Sequence, residues 1–137
     1  MRYLAVLLLV GCATAPTPAL APRPAVVVNA NADAVWSAAL AAFADQSIPI
    51  KSADRASGVI TTEEVIVPMA EAPTYADCGR LVGAAVRAGW VQYTALVSGS
   101  SVRVTARYRY SDNGACESRG VAETRLETAI RAKAEGR

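Results

Sequence analysis

Few residues in this chain could carry chemistry. Its 137 residues include no histidine, which removes the commonest general base and metal ligand together. Neither a Ser-His-Asp nor a Cys-His arrangement can be built, and a His-based zinc or non-haem iron site is excluded with them. Acid–base work would fall to carboxylates. Glu63 and Glu64 are adjacent in a strand-like stretch, so they point to opposite faces and cannot act as a pair on one substrate. Glu123 and Glu127 stand four apart in a helix-like stretch, and the expected reading is a solvated helix face with an Arg119/Glu123 contact. No Walker motif is present, and no GxGxxG follows a strand; Gly79-Arg80-Leu81-Val82-Gly83 offers only two glycines in a loop. The inventory predicts a protein that is not an enzyme and needs no cofactor or metal.

The three cysteines are more telling. Cys12 follows Leu9-Val10-Gly11, an apolar run from Tyr3 to Leu8, and Met1-Arg2. This arrangement resembles a bacterial lipobox. The resemblance implies cleavage before Cys12, diacylglycerol on its sulfur and a fatty acyl group such as palmitate on the new amine. The physical pattern agrees. Arg2 and the amino terminus supply a positive region, and the apolar stretch is far short of the ~20 residues that a spanning helix needs. An ordinary secretory cut after Ala13-Thr14-Ala15 is the alternative, with Pro16 in the next position opposing it; a buried cytosolic strand is another. Ala13, rather than Asp, follows the acylated cysteine, which in enteric-type lipoproteins implies transfer to the outer membrane.

Assigning Cys12 to lipid leaves Cys78 and Cys116 as an even pair in a chain that looks exported. Such a pair reads as one disulfide. From Cys78 through Cys116 it would close a loop of 39 residues. Chain entropy puts its contribution at ~4 kcal/mol. A redox or zinc role is the poorer reading, because there is no CxxC and no histidine to complete a metal site.

Removal of residues 1–11 leaves 126 residues, enough for one small domain, and lowers the formal charge from +2 to +1 because Arg2 is lost. That balance gives no electrostatic case for nucleic acid. Charge is instead local: Arg103, Arg107 and Arg109 alternate with Val102, Val104, Ala106 and Tyr108, so one face of a strand is cationic and the other apolar. The three arginines are a candidate surface for an anionic partner, such as acidic lipid head groups, lipopolysaccharide phosphates or peptidoglycan carboxylates. The favoured alternative is the wet face of a one-sided sheet, paired with Glu63 or Glu64 on a neighbouring strand.

The elements that must position these residues follow from periodicity. Four prolines among residues 13–25 describe an extended tether able to hold a domain up to about 40 Å from a lipid surface at ~3.1 Å per residue. Val26-Val27-Val28 starts the globular part. Asn31 is a helix cap, and Trp36, Ala39, Leu40 and Phe43 form an apolar stripe running to about Asp45, with Trp36 read as core. Ile48–Ser52 reads as extended and pairs with a strand over Ser57–Val67 across a turn at Asp54–Gly58. Residues 68–79 read as loop, and 81–88 fit either helix or strand. Val91–Val97 and Ser101–Tyr110 form a hairpin about Ser98-Gly99-Ser100. Asp112–Glu117 reads as a loop. Ser118 then caps a last helix with Ala122, Leu126, Ala129 and Ile130 buried.

This order resembles the helix-grip domains in the lipoprotein subunit of the β-barrel outer-membrane assembly machinery. Val35-Trp36-Ser37-Ala38-Ala39-Leu40, Asp54 through Gly58-Val59-Ile60-Thr61-Thr62, and Asp77-Cys78-Gly79 with Cys116-Glu117-Ser118-Arg119-Gly120 resemble small lipoproteins of Gram-negative bacteria. The expected organisation is a signal peptide over 1–11, a lipidated cysteine and tether over 12–25, and an α+β domain over 26–135. In that domain one small antiparallel sheet packs against two helices. The resemblance implies a periplasm-facing, lipid-anchored protein with a binding or scaffolding role in the envelope and envelope proteins as partners, outer-membrane assembly being one such role. A small-ligand or lipid carrier, with a cavity between helix and sheet, is the alternative.

Overall fold

The alternating stretch at the centre of the sequence is also the centre of the structure. In the computed structural model, which describes residues 23–68, 70–78, 88–110 and 114–137, it forms β7 (Ser101–Tyr110). Its hairpin partner is β6 (Ala88–Ser98), paired along its length from Gly89↔Tyr110 to Ser98↔Ser101 about a Gly99-Ser100 turn. Val102, Val104, Tyr108 and Tyr110 are buried, and so are Val91, Tyr93, Ala95 and Val97 on the partner strand. The signal-peptide reading and all but the last three residues of the tether lie outside the described residues.

Around this hairpin the fold is α+β, one open antiparallel sheet with three helices. In chain order the other elements are β1 (Val26–Val27), α1 (Ala32–Asp45), β2 (Ile50–Asp54), β3 (Val59–Thr62), β4 (Val65–Pro68), α2 (Ala72–Tyr75), β5 (Ala76–Asp77), β8 (Gly114–Ser118) and α3 (Val121–Ala134). The strands lie in the order β2-β3-β6-β7-β8-β5, with β1 also beside β7 and β4 also beside β6. Helices α1 and α3 pack together on one face of the sheet.

Helix α1 forms where its stripe predicts. The Asn31 Oδ1 accepts from the Ala34 N–H at 2.8 Å, satisfying one of the free donors of the first turn. Val35, Trp36, Ala39, Ala42 and Phe43 are buried, and Leu40 packs half-buried at the margin. Gly58 closes the β2–β3 turn at φ +71, where an added Cβ would sit 2.1 Å from the Val97 carbonyl oxygen; no other residue fits there. Asp54 opens the same turn, and hydrogen bonds from the Ser57 hydroxyl and the Ala56 N–H hold its carboxyl below the usual range.

Four expectations need correction. The strand over Ser57–Val67 is two strands, because the pairing with β6 slips by one residue between Thr61↔Thr94 and Val65↔Val91. The bulge is held by Thr62, whose Oγ1 accepts from the Tyr93 N–H at 3.0 Å. Residues 68–79 are not all loop: they include α2 and β5. Cys116 lies on β8 rather than in a loop, since Tyr108↔Cys116 to Tyr110↔Gly114 extend the sheet. Ser118 ends β8, and the cap of α3 is Gly120 at φ +75. The Ser118 Oγ still accepts from the Gly120 N–H at 3.1 Å, so it serves the helix start from outside. Most of the ambiguous stretch at 81–88 lies outside the described residues; Ala88 begins β6.

Candidate functional site

The outer face of the sheet carries the arginine ladder. Arg103, Arg107 and Arg109 stand opposite Leu96, Gln92 and Trp90 respectively. Arg109 is engaged. Its Nε and Nη2 donate to the two carboxylate oxygens of Glu64 at 2.8 and 2.6 Å, and its guanidinium lies 4.6 Å from the Trp90 ring centroid. The Arg109 guanidinium holds the Glu64 carboxyl below the usual carboxylate range. The Glu64 pairing expected from the sequence is therefore present for Arg109, whereas Arg103 and Arg107 have no ion-pair partner among the described residues. A shallow hollow of about 280 Å³ beside Arg107 is edged by Gln92, Thr94 and Thr105. The Gln92 amide donates to the Thr62 carbonyl and the Thr105 hydroxyl to the Thr94 carbonyl, which leaves Arg107 as the donor best placed for an anion.

The cysteine pair is a disulfide. Cys78 and Cys116 are joined with their Cα atoms 4.3 Å apart. Its place follows from strand register: Ala76 pairs with Ser118 and Asp77 with Glu117, so Cys78 and Cys116 stand at the next step. A two-residue pairing is weak by itself. The covalent bond secures it, and the Tyr75 carbonyl adds support by accepting from the Arg119 N–H at 2.8 Å. Arg119 pairs with Asp77 at 3.6 Å rather than with Glu123.

The helical carboxylates overturn expectation. Glu123 and Glu127 are each only 2% exposed. The buried set on α3 is Ala122, Glu123, Leu126, Glu127 and Ile130, with Ala129 at the margin, which turns the inward face by about 40° from the apolar stripe. A gap in the sheet supplies the reason. Along one edge of β7, β1 covers residues 101–102 and β8 covers 108–110, with no strand at 103–107 among the described residues. There the Val104 N–H donates to the Glu127 Oε1 at 2.9 Å, so the helix side chain replaces the missing strand. The Glu127 Oε2 accepts from the Arg23 Nη2 at 3.1 Å, and the same nitrogen donates to the Thr124 Oγ1 at 2.9 Å. Arg23, read as tether, is already fastened to the domain.

Glu123 differs. Its Oε1 accepts from the Ser118 hydroxyl at 2.5 Å, while its Oε2 is buried without a partner among the described residues, as is the Tyr110 hydroxyl. Burial pushes the hydroxyls of Tyr93 and Tyr108 above the usual phenol range, and the nearby Glu123 acts in the same direction. Tyr110 stacks over Gly89, where a Cβ would lie 2.0 Å from the ring.

The space directly beneath α1 is filled by Trp36, Phe43 and the sheet side chains. Hollows lie beside it. One of about 410 Å³ at the start of α1 is edged by Trp36, Arg55 and Gly58, with Arg55 paired to Asp33. Another, of about 170 Å³, lies where α2 meets β4 and β6. Among the described residues no group of three His, Cys, Asp or Glu side chains is placed to hold a metal, and no helix is long and apolar enough to cross a membrane. Compared with known proteins, the chain matches no family model, and no curated protein is significantly similar to it.

Proposed function

We propose that this chain is a lipid-anchored outer-membrane lipoprotein whose domain faces the periplasm and serves the envelope as a binding or scaffolding module. The disulfide carries this reading. With Cys78 and Cys116 joined to each other, Cys12 is the odd thiol of the three, directly behind Leu9-Val10-Gly11. Sulfur acylation gives it a use and gives residues 13–22 the part of a spacer. The binding role draws support from the outer face of the sheet, where Arg107 edges a hollow and Arg103 stands on the same strand. Outer-membrane assembly is the setting that the family resemblance favours.

Mass analysis of the protein expressed in a Gram-negative host tests the anchor. The expected mature chain begins at a diacylated, N-acylated Cys12 and fractionates with the outer membrane, and Cys12→Ser accumulates uncut. Cleavage after Ala15, or membrane retention of a cut Cys12→Ser chain, overturns the reading. Crosslinking in the native envelope tests the module: recovery of envelope proteins that Arg103→Ala/Arg107→Ala abolishes is expected. A small-ligand carrier is the second reading, favoured by the 170 Å³ hollow beside α2.

A further inference from the structure

Helices α1 and α3 do not cover the whole inner face of the sheet. Where α1 ends, the chain turns away through Ile48, and the four-residue α2 spans the remaining ground. The cavity of about 170 Å³ left there has two kinds of wall. One is aliphatic, from Ile48, Val65 and Val67; the other is aromatic, from Tyr75, Tyr93 and Tyr108. Glu71 stands exposed at the mouth, and no Lys or Arg lines the cavity. The buried Glu123 is a neighbour of Tyr93 and Tyr108, and Arg125 a neighbour of Tyr93.

We infer that this cavity binds a small alkylammonium group. Aromatic rings attract a cation, and the aliphatic wall suits its methyl or methylene groups. Glu71 is the one charged side chain among the residues that line the cavity, and it sets a negative field there. An anion would meet Glu71 as a repulsion, with no cationic side chain among the lining residues to offset it. The volume corresponds to about five or six waters at their share of the liquid, which suits a head group rather than a chain. Both a free amine and the head of a zwitterionic lipid have this chemistry. The inference deepens the carrier reading and is independent of Cys12.

The test is an NMR titration of the full-length chain with ring-labelled tyrosine. The ligands are choline, its neutral isostere 3,3-dimethyl-1-butanol, and vesicles of phosphatidylcholine or phosphatidylglycerol. Choline is expected to shift the Tyr75, Tyr93 and Tyr108 resonances, with the isostere about tenfold weaker. Glu71→Gln should weaken choline by about threefold and leave the fold intact, because the Glu71 side chain makes no capping bond to α2. If only phosphatidylcholine vesicles shift the rings, the lipid head group is the source; if soluble choline suffices, a free amine is. Equal binding of the isostere would keep a carrier cavity but overturn the cation. No ring shift with any ligand would overturn both.

Discussion

The two ends of β7 meet the same structural problem and solve it differently. At one end β1 contributes a two-residue pairing; at the other, β8 contributes three residues and is itself backed by the two-residue β5. Neither short strand is independently stable. The β8 end is secured covalently, through Cys78–Cys116. The β1 end has no covalent bond: Val28 is buried in the core beside it, Arg131 donates to the Val27 carbonyl, Arg23 holds Glu127, and Glu127 accepts from the Val104 N–H. Four residues along the same helix face, Glu123 belongs to the β8 end and keeps one oxygen without a partner. Two like residues at helical spacing thus differ in kind. One completes a sheet; the other is a buried carboxyl beside a tyrosine cluster.

The largest expected effect is at the polar end. Glu127→Ala strips a partner from both Val104 and Arg23 and should cost about 4 kcal/mol in urea unfolding. Cys78→Ala/Cys116→Ala should cost about 3 kcal/mol, less than the full chain-entropy figure because β5–β8 pairing and the Asp77–Arg119 contact remain. A reversed ranking would make the covalent end the dominant one. Arg23→Ala leaves Glu127 its bond to Val104 and should cost about 1–2 kcal/mol, with faster hydrogen exchange at Val104. Glu123→Gln should change stability by less than about 1 kcal/mol, since its Oε2 has no partner to lose; a cost equal to that of Glu127→Ala would abolish the distinction between the carboxylates.

The smallest effect lies on the outer face. Glu64 titrates below its ordinary value because Arg109 faces it. Its contribution to stability is therefore present above the unfolded-state value and lost as pH falls through the lowered folded one. NMR titration should show the Glu64 carboxyl moving up toward the ordinary range in Arg109→Ala.

Much of this fold is legible from local pattern. The Ser101–Tyr110 alternation and the α1 stripe are dictated by their own side chains, and both form as the sequence predicts. Cys78 and Cys116 are readable as a pair because the lipobox resemblance assigns Cys12 to lipid. The rotation of α3 is not readable, because it answers an unpaired N–H on Val104 that exists only after β1 and β8 leave 103–107 uncovered. Glu123 and Glu127 look like a solvated face until that demand is known. The break at Glu63-Glu64 is hidden for a similar reason: β-branched residues flank it on both sides, and the slip shows only against β6. The cavity beside α2 depends on a four-residue helix in a stretch that reads as loop.

The Arg23 contact also determines where a pull on the chain is felt. Tension drawn through residue 22 reaches Arg23 first and loads its bonds to Thr124 and Glu127. If those yield, the next resistance is the two-residue β1, which would peel from β7 one pair at a time. The disulfide lies off this line, so the covalent end of the molecule carries none of the initial load. Drawn by its amino terminus, the domain has a sacrificial clasp at residue 23, which takes the load before β1 does.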